Sequence, residues 1–337
     1  MANVSYLIST RAVKGHTFTP EPGEVRYLKV PPGAPVPSPK MAIDAGPWFD
    51  EVRDRADACA SPVNHPAGDV LVFVHGYNND ARVILQRQRR LQDDLAAEQW
   101  CGLVVAFDWP SDNSTLNYLE DRSDAAQVAD QMVSHGILPL AVGQKNGCAT
   151  NVHLLGHSTG AYVILEAFAN AQKVGRLFKS DWRIAQVGFI AGDVSSKQVA
   201  AGSEWARPMY DRIMRLTNYS NPFDQVLAIS NAKRLGTSPR AGRVGLPEDA
   251  HPKSVDVDCG AYFKGLDPKK QTFFGTFCHS WHIGNRVFAR DLAMTLEGGI
   301  HRTAVPTRLQ ENGRLVLHDA PRPKYQEDWR LTSGRGR

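Results

Sequence analysis

From residue 70 onward, short unbroken apolar runs alternate with longer stretches in which apolar positions recur every three or four residues. Val70-Leu71-Val72-Phe73-Val74 precedes a helical period through 82–97, and Leu103-Val104-Val105-Ala106-Phe107 precedes another through 121–142. The cycle repeats at 152–155 with 161–171, at 184–191 with a helical stretch near 196–207, and at 213–217. Strands apolar on both faces, separated by helix-length segments, predict a mostly parallel sheet with helices on both sides. Functional groups should then lie beyond the carboxyl ends of the strands. A short strand at 255–257 and a closing helix at about 285–296 complete a domain spanning 70–300.

The flanks break this rhythm. In 1–69, Pro20, Pro22, Pro31, Pro32, Pro35, Pro37 and Pro39 punctuate two strand-like runs, 5–11 and 24–30, predicting an N-terminal extension with edge strands and a surface helix near 48–60. Residues 236–252 combine glycine, proline and charge without a period and read as a long loop, an edge for a pocket whose deletion should alter KM more than folding. Residues 301–337 read as a poorly ordered tail in which Trp329 could dock. No internal repeat is present.

Of the 337 residues, 42% are hydrophobic and 22% charged, an ordinary balance that excludes disorder. The net charge of +4 is spread, with local excess only at Lys269-Lys270 and in Ser333-Gly334-Arg335-Gly336-Arg337, so no nucleic-acid partner is expected. No run approaches the roughly 18 apolar residues of a membrane span, and the first residues carry no secretory pattern, so no membrane association is expected. The five cysteines are widely spaced without a C-x-x-C pair, which reads as free thiols in a reducing, cytoplasmic setting. Oligomeric state is not legible.

Candidate chemistry concentrates at Gly156-His157-Ser158-Thr159-Gly160, which closes an apolar run and opens an apolar-periodic helix. A serine hydroxyl needs a base to take its proton and a turn that lifts it clear of the backbone. A sharp strand-to-helix turn brings chain segments so close that its flanks tolerate little beyond glycine, hence G-x-S-x-G. The pentapeptide alone could be an ordinary tight turn; its strand-before, helix-after context favours a nucleophile.

On such a scaffold the acid and then the base follow the nucleophile in the chain. Among the later histidines, His279 and His282 sit between the last strand and the last helix, and either could be the base. Asp224 follows the strand ending at Thr217 and Asp193 the one ending at Ala191, so either could be the acid; Asp224 is preferred as following the later strand. Each aspartate could equally start a helix. The oxyanion requires the N–H of Thr159, after the nucleophile, and one from the loop after an earlier strand, where His75-Gly76-Tyr77 offers Tyr77. His75 itself reads as structural. Tyr77, Trp109, Phe223 and Trp281 fall near strand ends and could wall an apolar substrate pocket, although such aromatics are more often core.

The ordered pieces Val72-Phe73-Val74-His75-Gly76-Tyr77-Asn78, Phe107-Asp108-Trp109-Pro110-Ser111, Tyr118-Leu119-Glu120-Asp121-Arg122, Leu155-Gly156-His157-Ser158 and His279-Ser280-Trp281 ahead of Asp291-Leu292 resemble the esterase/lipase-like α/β-hydrolases, in particular a bacterial branch long catalogued as of unknown function. The resemblance spans roughly 70–297, and Tyr6-Leu7-Ile8-Ser9-Thr10-Arg11 resembles the family's opening strand. It implies an α/β-hydrolase fold, Ser158 as nucleophile, Asp224 as acid, His279 as base, Tyr77 and Thr159 as oxyanion donors, and neither metal nor cofactor. Thr159 departs from the methionine frequent in relatives, which narrows the pocket floor and makes it more polar.

The expectation is hydrolysis of a modest-sized, water-soluble carboxylic ester through an acyl-enzyme. Thioesterase, amidase and acyltransferase activities share that intermediate. A non-catalytic binding scaffold is the rival from another class.

Overall fold

The computed structural model describes residues 3–58, 68–111, 122–142, 150–173, 182–233 and 239–323. Its strands are β1 (Ser5–Lys14), β2 (Thr17–Val30), β3 (Ala42–Ile43), β4 (Asp69–Val74), β5 (Gly102–Asp108), β6 (Asn151–His157), β7 (Ile184–Ile190), β8 (Ile213–Ser220), β9 (Ser254–Asp258), β10 (Arg308–Glu311) and β11 (Arg314–Leu317). They form one sheet in the order β10-β11-β9-β8-β7-β6-β4-β5-β1-β2-β3. From β11 across to β1 every pairing is parallel; only the flanking pairs β10–β11, β1–β2 and β2–β3 are antiparallel.

Alternation along β4 explains its unbroken apolar run. Val70, Val72 and Val74 enter one core, and Leu71 and Phe73 the other. The first core receives α1 (Ala45–Asp57) through Trp48 and Val52, α3 (Arg122–Gln131) through Val128, and α5 (Thr159–Lys173) through Ile164 and Phe168. The second receives α2 (Ala81–Ala97) through Leu91 and Leu95, and the closing helix Arg286–Glu297 through Phe288 and Leu292. Because β5 and β6 lie on opposite sides of β4, the strand order reverses there, and the carboxyl ends of β4 and β6 are where such a sheet places a ligand.

Several elements differ from expectation. The N-terminal run is not merely an edge: Tyr6, Leu7 and Ile8 are fully buried, and β1 pairs in parallel with β5, leaving only β2 and β3 outside it. The helix expected over 121–142 widens at Met132–Ile137, where the Leu138 N–H reaches back to Val133, before α4 (Leu138–Val142). Pro139 supplies the reason, since it lacks an N–H and crowds the carbonyl four residues earlier. The stretch near 196–207 is a 3-10 turn, Ser196–Val199, then a helix only at Arg207–Arg212. The supposed tail contributes the hairpin β10–β11, which continues the sheet from β9. Trp329 lies outside the described residues.

The segment from Pro239 to Pro252 is no loose loop either; 236–238 lie outside the described residues. It contains a short helix, Ala241–Val244, whose backbone bonds the strand-end turns on both sides: Ala241 donates to Val194 at 2.8 Å, Gly242 to Gly192 at 3.0 Å, and Asn221 donates to Gly242 at 2.9 Å. Deleting it would orphan those groups, so the expected outcome changes from altered KM to loss of the fold. Cys101 is disulfide-bonded, while Cys259 and Cys278 are free thiols. The expectation of free thiols throughout is corrected, and with it goes the argument for a reducing compartment. Among the described residues no helix is long and apolar enough to cross a membrane.

Candidate active site

Ser158 sits where β6 turns into α5, with a left-handed backbone of φ +55°. For a residue with a Cβ this conformation costs on the order of 1–2 kcal/mol and persists only where its surroundings enforce it. Here the Ser158 N–H donates to Ile190 at 3.0 Å, and the Ser158 carbonyl accepts from Asp193 at 3.0 Å and Ala161 at 3.1 Å. Crowding accounts for the neighbouring glycines. A Cβ on Gly160 would stand 2.1 Å from the Val74 carbonyl oxygen, and one on Gly76 would stand 2.7 Å from the Ser158 Cβ. The β4 loop is thereby pressed against the serine.

Beyond β8, Asp224 is fully buried and divides its carboxylate. Oδ1 accepts from the Leu227 N–H at 3.0 Å, capping the helix Gln225–Lys233, while Oδ2 accepts from His279 Nδ1 at 2.7 Å. One carboxylate oxygen thus serves a helix start while the other faces a histidine. His279 lies in the short helical turn Phe277–Ser280, before the closing helix.

The alternatives are occupied otherwise. Asp193 holds Arg240 Nε at 3.0 Å and accepts from the Ser230 hydroxyl at 3.1 Å, with no histidine in contact. His282 is buried against Trp281, ring centroids 4.2 Å apart, with neither ring nitrogen hydrogen-bonded among the described residues, and burial lowers its pKa to about 3. A histidine so neutral and without a carboxylate partner is poorly placed to act as the base.

Around the elbow, the backbone N–H groups of Tyr77 and Thr159 have no acceptor among the described residues. The Asn79 side-chain amide fixes the peptide planes of that loop by donating to the Gly76 carbonyl at 2.8 Å and the Tyr77 carbonyl at 2.9 Å. His75 is structural: its Nε2 accepts from the Trp109 N–H at 3.1 Å, which leaves Nδ1–H to donate to Gly76 at 2.8 Å. Two unengaged N–H donors beside a serine form the pattern an oxyanion requires.

Of the expected pocket aromatics, Trp109 and Trp281 are fully buried. Trp109 stacks on His75 and donates its indole N–H to the His75 carbonyl, and Trp281 packs in the second core, so both are structural and neither walls a pocket. Proximity to a strand end indicates the right end of the sheet but not the face a side chain takes. Phe223 is 38% exposed beneath Lys264, whose Nζ lies 4.3 Å from the ring centroid, and Tyr77 is partly exposed. A cavity of about 570 Å³ opens beside the acid turn, lined by Ser220, Pro222, Arg243, Leu246, Asp256 and Asp258 among others, but it does not include Ser158.

Some residues that organise the site escape the sequence reading. Arg11, buried near the middle of β1, bonds Asp108 at 2.7 Å and the carbonyls of Asn79 and Trp109 at 2.8 and 3.0 Å, tying β1 to both motif loops. Burial alone would raise the Asp108 pKa, but the Arg11 charge overcomes it and holds the carboxyl below its usual range. The helix α2 grips the segment bearing His279: Arg87 donates to the Phe274 carbonyl at 2.6 Å, and Asp94 accepts from the Gly284 N–H at 2.8 Å. The motif residues Tyr118 to Asp121 lie outside the described residues.

A family described as "Alpha/beta hydrolase of unknown function (DUF900)" matches residues 57–250. No curated protein matches the chain. Among solved structures, a Trichoderma reesei cutinase in complex with a phosphonate inhibitor is 15% identical over 75% of this chain and 88% of its own, with a TM-score of 0.32. A metagenomic carboxyl esterase is 12% identical over 69% of this chain and 75% of its own, with a TM-score of 0.31.

Proposed function

The chain belongs to this family of α/β hydrolases, and from that premise we propose that it cleaves carboxylic esters through an acyl-enzyme formed on Ser158. The observation that carries the reading is the 2.7 Å hydrogen bond between Asp224 and His279, partners 55 residues apart, beside a serine in a left-handed turn. With Nδ1–H committed to Asp224, Nε2 of His279 keeps its lone pair as the base. The Ser158 oxygen attacks the ester carbonyl carbon and His279 Nε2 takes the hydroxyl proton. Negative charge on the former carbonyl oxygen is met by the Tyr77 and Thr159 N–H groups. Collapse of the adduct expels the alcohol, which receives the proton from His279. Water, deprotonated by the same imidazole, then releases the acid.

The substrate in this reading is a small soluble ester, its apolar part resting against Tyr77 and Phe223, the two expected aromatics that are not fully buried. Fluorophosphonate labelling followed by intact mass, alongside hydrolysis of a short-chain p-nitrophenyl ester, tests it. One label per chain and turnover are expected, and both should disappear in Ser158→Ala, where kcat falls by several orders of magnitude. A folded wild-type protein that takes no label would overturn the reading in favour of a binding scaffold.

A further inference from the structure

The Ser158 hydroxyl makes no hydrogen bond within the described residues, and the link between nucleophile and base runs through its neighbour. His157 is buried, its ring edge-on to that of His279 with centroids 4.9 Å apart. Its Nε2 lies 3.1 Å from the His279 carbonyl oxygen, and its Nδ1 lies 3.2 Å from Arg87 Nη1. A guanidinium has only donors. His157 Nδ1 must therefore be the acceptor, and the ring proton sits on Nε2 and is donated to the His279 carbonyl. The tautomer is dictated by the arginine.

Arg87 is itself buried on α2 and has no carboxylate partner among the described residues. Its Nη2 donates to the Phe274 carbonyl at 2.6 Å and to the Ser280 hydroxyl at 3.4 Å, one bond on each side of His279 in the chain. Burial, and then the Arg87 charge, lowers the His157 pKa well below the ordinary histidine range, so the ring stays neutral and keeps its single acceptor. Keeping an unpaired guanidinium out of water is costly unless its protons are used. Here they are spent on an imidazole and on the chain around the base.

We propose that Arg87 and His157 are positioning residues that brace the main chain of His279 and so set the base against Ser158. This rests on the reading of His279 as the base. Asp224 orients the imidazole from its Nδ1 side, and the brace fixes the backbone from which that imidazole hangs. Because His157 adjoins the nucleophile, the elbow and the base share one short linkage.

Two substitutions of similar polarity separate the brace from packing. In His157→Gln the terminal amide reaches the place of Nε2 and can still donate to the His279 carbonyl, whereas in His157→Asn it stops at the place of Nδ1. The Asn variant should lose roughly 10- to 100-fold in kcat at nearly unchanged KM, with the Gln variant staying close to wild type. Independently of turnover, the far-downfield proton of His279 Nδ1–H in the wild-type NMR spectrum should persist in the Gln variant and vanish in the Asn variant. Arg87→Lys keeps the charge but cannot serve His157, Phe274 and Ser280 together, and should behave like the Asn variant even if the latter fails to fold. Equal kcat for folded His157→Asn and wild type, or a Gln variant no better than the Asn one, would overturn the brace. A wild type that neither labels nor turns over defeats the esterase reading instead; the resonance then judges the brace alone, and its persistence in folded His157→Asn or Arg87→Lys overturns it.

Discussion

Asp224 serves a helix and an imidazole with different oxygens, so substitutions can separate the two duties. Asn caps helices about as well as Asp, but its amide would face the His279 ring with an N–H and impose the wrong tautomer. Asp224→Asn should therefore cost about 10⁴-fold in kcat with little change in the urea midpoint. Asp224→Ala should cost the same activity and a further ~1 kcal/mol of stability from the lost cap. An Asn variant within tenfold of wild type would remove Asp224 from the mechanism. Sequence made this residue visible because it lies in a short turn between a strand and a helix, where both duties leave local signals. Arg87 and His157 left none: an arginine on an amphipathic helix reads as solvated, and the histidine within G-x-S-x-G reads as filler. Their meaning is created by contacts with carbonyls 187 and 122 residues away.

At the scale of elements, β8 and β9 turn a polar side toward the segment that follows Pro239. Asn218 and Ser220 donate to Asp256 at 2.6 and 2.7 Å, and Gly245 packs so closely that a Cβ there would stand 2.8 Å from the Asp256 carboxylate. The run Val255-Asp256-Val257 predicted a strand, but not which residues would surround Asp256. Burial raises the Asp256 pKa from 3.8 to about 6. The folded state thus holds a proton that the unfolded chain releases. The contribution of Asp256 to stability is greatest below its unfolded pKa, declines as pH climbs from about 4 to about 6, and stays lower above by on the order of 2–3 kcal/mol. Asp256→Asn should flatten that limb and raise stability at pH 8, as read from urea midpoints across pH; an unchanged slope would refute the assignment.

For the molecule as a whole, the parallel core was legible because strands covered on both faces must be apolar throughout, and the C-terminal hairpin β10–β11 was not, because it joins the sheet through β9, which is distant in sequence. Nothing local to 301–337 says that Arg308 will be buried, bonded to Asp291 at 2.6 Å and near Tyr219. Burial would raise the Asp291 pKa, yet the Arg308 charge reverses this and keeps it low. Arg308→Met would strand that carboxylate and should cost about 3–5 kcal/mol, measured by chemical unfolding, while leaving kcat of the folded fraction unchanged. The helix α2 has a different kind of reach. Asp80 at its start caps the helix immediately after the loop carrying Tyr77, and Arg87 and Asp94 hold the chain on both sides of His279. One rigid rod is the common datum for the Tyr77 loop and for His279, the groups to which the proposed mechanism gives an oxyanion donor and the base. If α2 peels from the sheet as a local opening event, both lose their reference together. On the proposed mechanism, activity is then quantised by the docking of a single helix, and it should vanish cooperatively while the rest of the sheet remains protected from hydrogen exchange.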